Sequence, residues 1–285
     1  VIASFALRHL YRNSFFTPKK LKVLTYTLLG TLTVVTITSA IGMYFKYNIW
    51  KMKASSEDRF VGAVSVGNYG LELPVITLFF ISFWLNRDKI KIYLNKYFLN
   101  ICLIINIFAV YFAGMRSAFL GFIISLPFLF FWGNKAKFKI AGVISILLII
   151  ISMGLTYFQV IESRQFLNFN NPSNNMRISM WKKSIEAFYE KPIWGHGYLS
   201  KNNNYKAANS DGVEIVPLHI AHSSYFQVIK DTGIIGSMLY FCFIFFWLKN
   251  LMSIDDIFSR LCIAPLVCSL FHGLVHNFLI NGSNS

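Results

Sequence analysis

Three arginines and one histidine stand where their side chains could do chemistry. Arg59 lies in Glu57-Asp58-Arg59-Phe60, Arg116 between two apolar runs, and Arg177 at the start of an amphipathic stretch. A guanidinium stays protonated and offers a planar fork of donors that fits phosphate oxygens. Two or three such groups converging at a membrane boundary suit a lipid-linked diphosphate. His222, in His219-Ile220-Ala221-His222-Ser223-Ser224-Tyr225, adds an imidazole that titrates near neutral pH and can take a proton from an attacking hydroxyl. Each residue also has a plainer reading. Arg116 equally suits a topology or headgroup anchor, and a loop histidine is more often a structural hydrogen-bonder. Arg177 is harder to dismiss, because a cation near a helix N-terminus opposes the macrodipole.

Glu72, in Asn68-Tyr69-Gly70-Leu71-Glu72, is the acid that falls within an apolar run. Intramembrane acids tend to face a cavity or a partner, so Glu72 joins the substrate-binding candidates. His272 and His276, one helical turn apart, carry a weaker form of the same argument; either set also serves as interhelical hydrogen-bonding glue. His219 and His222, with His196 not far away, lack an HExxH pattern or a thiolate partner, so no metal site is expected. Cys102, Cys242, Cys262 and Cys268 all lie in apolar segments without a CxxC pair, which supports neither a disulfide framework nor a thiolate site. No cofactor is called for.

The elements that must position these residues are membrane helices. The chain is 55% hydrophobic and 14% charged, against about 25% charged in ordinary soluble domains. Apolar runs approaching the ~20 residues that cross a bilayer occur at 21–45, 61–85, 97–115, 117–132, 140–158, 233–248 and 257–280. The expected fold is therefore all-α, a polytopic bundle of about seven spans, with Arg116 at the tip of a tight helical hairpin. The net charge of +15 is not massed on one polar module. The Lys and Arg fall in short loops between apolar runs, which sets orientation and argues against nucleic acid.

Counting them fixes the sidedness. Arg8, Arg12, Lys19, Lys20, Lys22, Arg87, Lys89, Lys91, Lys96, Lys135, Lys137, Lys139, Lys249 and Arg260 fall on one side. The short segments on the other side hold Lys46, Lys51, Lys53, Arg59 and Arg116, with long loops left out because they translocate largely regardless of charge. The basic side is inner, so residues 159–224 form a large outer loop. The domains are then 1–158 with spans one to five, 159–224 as the loop, and 225–285 with spans six and seven. Within the loop, Asn-Pro-Ser-Asn-Asn at 171–175 offers N-caps for an amphipathic helix from Met176 to Glu190, with Trp181, Ile185 and Phe188 on one face. Pro192 stops it, and Gly195-His196-Gly197 reads as a flexible turn. The chain opens on Val1 with no cleavable signal before the first apolar run and ends after an odd number of spans, so it reads as a piece of a longer bundle.

The order Arg59-Phe60-x-Gly62, Asn68, Gly114-Met115-Arg116-Ser117-Ala118 and Arg177-x-x-x-Trp181 resembles the bacterial O-antigen ligase and O-antigen polymerase superfamily. The strongest part is Pro192-Ile193-Trp194-Gly195-His196-Gly197, then His222-Ser223, then Gly233-Ile234-Ile235-Gly236. Ser223 stands where that family more often has Asn, and Glu72 has no counterpart in its pattern. The resemblance covers about two thirds of the chain, from residue 57 to 248. It implies about twelve spans in the whole protein, a bacterial inner-membrane location and a periplasmic loop. It further implies a metal-independent, inverting glycosyltransferase whose donor is an undecaprenyl-diphosphate-linked glycan. Arg116 and Arg177 would bind the diphosphate, and His222 would orient or deprotonate the acceptor; Arg59 and Glu72 stay substrate-binding candidates whose roles the resemblance leaves open. In a ligase the acceptor is lipid A-core; in a polymerase it is another lipid-linked glycan. A transporter or flippase for lipid-linked sugars is the alternative from another class, but no internal repeat supports it.

Overall fold

The computed structural model describes residues 18–44, 66–90, 95–112, 116–132, 135–157, 172–197, 206–208, 214–217 and 221–275. Their secondary structure is helical apart from one short hairpin. In chain order the helices are α1 (Pro18–Tyr44), α2 (Val66–Leu85), α3 (Arg87–Ile90), α4 (Lys96–Phe112), α5 (Arg116–Ser125) and α6 (Lys135–Tyr157). Then come α7 (Pro172–Glu190), strands β1 (Lys206–Ala208) and β2 (Glu214–Pro217), α8 (Ser224–Ser253) and α9 (Ile257–Val275). The expected run at 117–132 is α5 followed by a 3₁₀ turn, Leu126–Phe130, with Pro127 in its first turn, where proline costs no hydrogen bond. β1 and β2 pair antiparallel, Lys206 opposite Pro217 and Ala207 opposite Val216, with a bulge at Ala208.

The chain divides into two compact units, Val1–Ser145 with Ile254–Leu266 and Ile146–Ser253 with Val267–Ser285. In the first, α1, α2, α4 and α5 pack on one another around Leu29, Phe80, Leu99, Cys102 and Leu103. Polar side chains here serve the helices themselves. Asn106 of α4 donates to Thr33 Oγ1 of α1 at 3.0 Å and to its own helix at Cys102 O at 2.8 Å, and accepts from Thr36 Oγ1 at 2.9 Å. Ser145 Oγ donates to Ile123 O at 2.9 Å, fastening α6 to α5. Arg260 reaches Trp132 O at 2.9 Å and pairs with Asp255 at 2.6 Å.

Among the described residues, α8 and α9 are long and apolar enough to cross a membrane. Shorter apolar helical stretches lie in α1, α2 and α4, and in α5 with its 3₁₀ turn. The second unit is built differently. Its α7 packs along α8 and also against β1. Its buried face carries Ser184 and Ala187, flanked by Trp181 and Phe188, whereas Ile185 is 39% exposed. The apolar stripe thus runs one position away from the line drawn through Trp181, Ile185 and Phe188.

Candidate functional site

The glycine motifs become intelligible first. Helix α8 breaks at Gly233, whose φ of 61° is left-handed. Such a break strands the carbonyls ending the first half and the N–H groups beginning the second. The Pro192–Gly197 turn supplies the missing partners. His196 N donates to Lys230 O at 3.1 Å and Gly197 N to Asp231 O at 2.8 Å. In return Ile234 N donates to Pro192 O at 2.8 Å and Ile235 N to Ile193 O at 3.4 Å. The two backbones lie so close that a Cβ on Gly195 would sit 2.5 Å from the Asp231 backbone, and one on Gly233 2.5 Å from Ile193 O. Gly195 and Gly197 have φ of 70° and 89°, which glycine adopts without strain. A Cβ on Gly236 would collide with the Thr232 side chain. The expected flexible turn is therefore a clasp, held by four hydrogen bonds. His196 completes it, its Nε2 donating to Ala187 O of α7 at 2.7 Å.

His222 lies two residues before the start of α8 and has a left-handed φ of 48°. Non-glycine residues rarely adopt this conformation, and it persists only where neighbours fix it. The neighbours are identifiable. Ser223 Oγ donates to Gly273 O at 3.3 Å and Tyr225 OH to Leu270 O at 2.7 Å, both on α9. Gln227 accepts from Ala221 N at 2.8 Å and passes its amide N–H to Asp231 Oδ2 at 2.7 Å. Asp231 in turn pairs with Lys230 Nζ at 2.9 Å, both side chains almost fully buried. This buried pair was not foreseen from the sequence. Two opposite charges just before a glycine that opens an apolar run were the available signal.

Arg177 reaches the same neighbourhood through α7. Trp181, one turn further along α7, stacks on Phe226, itself one turn beyond His222, with ring centroids 5.4 Å apart and planes inclined at 20°. That stack packs α7 against the first half of α8, and the Arg177 charge acts on His222. The consequence is electrostatic: burial lowers the His222 pKa below its ordinary value, and the Arg177 charge lowers it further. Both favour the neutral imidazole, the form that can accept a proton. Because α7 begins at Pro172 and not Met176, Arg177 lies beyond the first turn, where the macrodipole penalty has largely faded.

Glu72 is exposed on α2 of the first unit. Arg116 opens α5, with its side chain outside the described residues. Arg59, His219 and His276 lie outside the described residues altogether. His272 is fully buried, its Nε2 3.5 Å from Cys268 Sγ.

Comparison with known proteins bears on the clasp and the His222 turn together. Residues 101–241 match the O-antigen ligase family. This match supports the O-antigen ligase superfamily for that stretch of the chain. Within that match fall Arg116, Arg177, the Pro192–Gly197 turn, His222 and Gly233; Arg59 and Glu72 precede it. Over 92 residues the chain is 29% identical to a protein of Rickettsia conorii named as a proposed polysaccharide ligase, covering 30% of this chain and 22% of that one. Over 90 residues it is 31% identical to a similarly named protein of Rickettsia felis, with 30% and 22% coverage. The match thus spans about a fifth of the length of these curated relatives. No solved structure matches the chain.

Proposed function

We propose that the protein is a membrane glycan ligase acting at the outer face of a bacterial inner membrane, with the 159–224 segment as its periplasmic loop and about seven of its spans in this chain. The donor is a glycan on undecaprenyl diphosphate, and the acceptor is a hydroxyl of lipid A-core. The observation that carries this reading is the left-handed His222 turn just before α8, against which α7 packs through Trp181 and Phe226 and on which the Arg177 charge acts, within the stretch that matches the O-antigen ligase family.

The chemistry follows from those side chains. His222 takes the proton of the acceptor hydroxyl as its oxygen attacks the anomeric carbon. The bond from that carbon to the diphosphate oxygen breaks, and its electron pair leaves with the diphosphate. Arg177 and Arg116 stabilise the growing negative charge, and Arg59 and Glu72 help bind the substrate. A single displacement of this kind inverts the anomeric configuration and uses no metal. A fixed guanidinium fork suits the leaving diphosphate, and its charge keeps the neighbouring base unprotonated until the acceptor proton arrives.

The test is His222→Ala in the full-length protein, read as lipopolysaccharide on a gel from a strain lacking the wild-type copy. Loss of all O-antigen from lipid A-core supports the ligase, and a single attached repeat would instead identify a polymerase with the same chemistry. Unchanged surface polysaccharide would remove His222 from the mechanism.

A further inference from the structure

The two halves of α8 face different surroundings. Before the break at Gly233, Ser224, Gln227, Val228, Lys230 and Asp231 are buried in the second unit. After it, Ile234, Ile235, Met238 and Leu239 are 39–69% exposed, and exposed phenylalanines continue the stripe to Phe246. From Gly233 to Leu248 the sequence carries no charge, and Lys249 follows near the far end. Gly233–Ser253 rises about 30 Å, the thickness of a hydrocarbon core. The break therefore marks where the helix leaves protein surroundings for apolar ones.

The clasp holds a second apolar group at that level. Ile193 is 54% and Trp194 76% exposed, between the exposed polar residue Lys191 and the buried Gly195. Ile193 O accepts from Ile235 N, so this pair continues the α8 stripe sideways at its upper end. The four backbone bonds of the clasp prevent the turn from folding these side chains away. Large apolar side chains on a rigid turn, with tryptophan at the edge and lysine beside it, have the composition of a bilayer interface.

We propose that the Pro192–Gly197 turn is a lipid anchor, with Ile193 and Trp194 seated at the boundary between headgroups and acyl chains where α8 enters the bilayer. This rests on the reading of α8 as a membrane span. The anchor fixes the height of Arg177 and His222 above the lipid, where a lipid-linked diphosphate presents its phosphates.

The experiment uses the full-length protein in liposomes whose lipids carry bromine either near the headgroup end of the acyl chain or near its methyl end. Tryptophan fluorescence is compared between wild type and Trp194→Phe, and the difference signal isolates Trp194. That signal should be quenched strongly by shallow bromine and weakly by deep bromine, and should be insensitive to aqueous iodide. Quenching by iodide, or by neither reagent, would overturn the anchor, since Trp194 would then face water or another protein segment. Trp247, toward the far end of α8, is the control, isolated in the same way with Trp247→Phe. Bromolipid quenching of Trp247 without any at Trp194 refutes the anchor and leaves the span standing; no quenching at either refutes both. An unchanged unfolding temperature in Trp194→Phe shows that the exposed ring is not needed for folding.

Discussion

The two units spend their buried polar groups in opposite ways. In the first, Asn106, Thr33, Thr36 and Ser145 satisfy helix carbonyls or one another, and each sits within a continuous helix, α1, α4 or α6. In the second, the backbone itself is broken at Gly233 and His222, and a buried Lys230–Asp231 pair sits beside the breaks. Neutral hydrogen bonds between apolar helices are modest glue, interchangeable with good packing. Left-handed residues and buried charges are costly, and persist only where surrounding structure holds them. These features lie in the second unit, which also carries Arg177 and His222.

That contrast can be broken in a graded series. The largest effect is expected from Gly195→Ala or Gly233→Ala, where the new Cβ would meet backbone at 2.5 Å. The second unit should lose its native fold, a cost of about 4 kcal/mol or more, visible as rapid proteolysis after Glu190. Next comes Lys230→Met, which leaves Asp231 charged and buried and should cost about 3–5 kcal/mol in thermal or denaturant unfolding. Adding Asp231→Leu should recover most of that loss, because the orphaned charge goes with it. Arg177→Lys keeps the charge but loses the fork, so transfer should fall by roughly a hundredfold with unfolding unchanged. The smallest effect belongs to the first unit. Asn106→Leu should cost only about 1 kcal/mol and leave transfer intact.

What the sequence made legible follows the range of the interactions. The start of the sixth apolar run at residue 233 coincides with the helix break, because the change from Lys230-Asp231 to an uncharged run is local. Arg177 and His222 stand out as candidates by residue type and motif order. The clasp was not, since the bonds between the Pro192 turn and Gly233 join segments some 40 residues apart, and glycine spacing alone does not name a partner. The Lys230–Asp231 pair was missed for another reason: the two charges are visible in the sequence, but adjacent residues on a helix do not normally face each other. The β1–β2 hairpin also escaped a reading by helical period, because three and four residues are too few to show alternation.

The central claim is that His222 works as a neutral base beside the Arg177 charge, and the pH dependence of transfer in reconstituted full-length protein tests it most directly. Burial and Arg177 both lower the His222 pKa, so the catalytically competent neutral form persists below the ordinary histidine value of about 6.5. In wild type, activity should be lost only as pH falls through that lowered pKa. In Arg177→Gln one of the two depressing causes is gone, so the acid limb should move to higher pH while staying under the ordinary value, because burial remains. An acid limb that stays in place in Arg177→Gln, or one already above the ordinary value in wild type, would contradict the account.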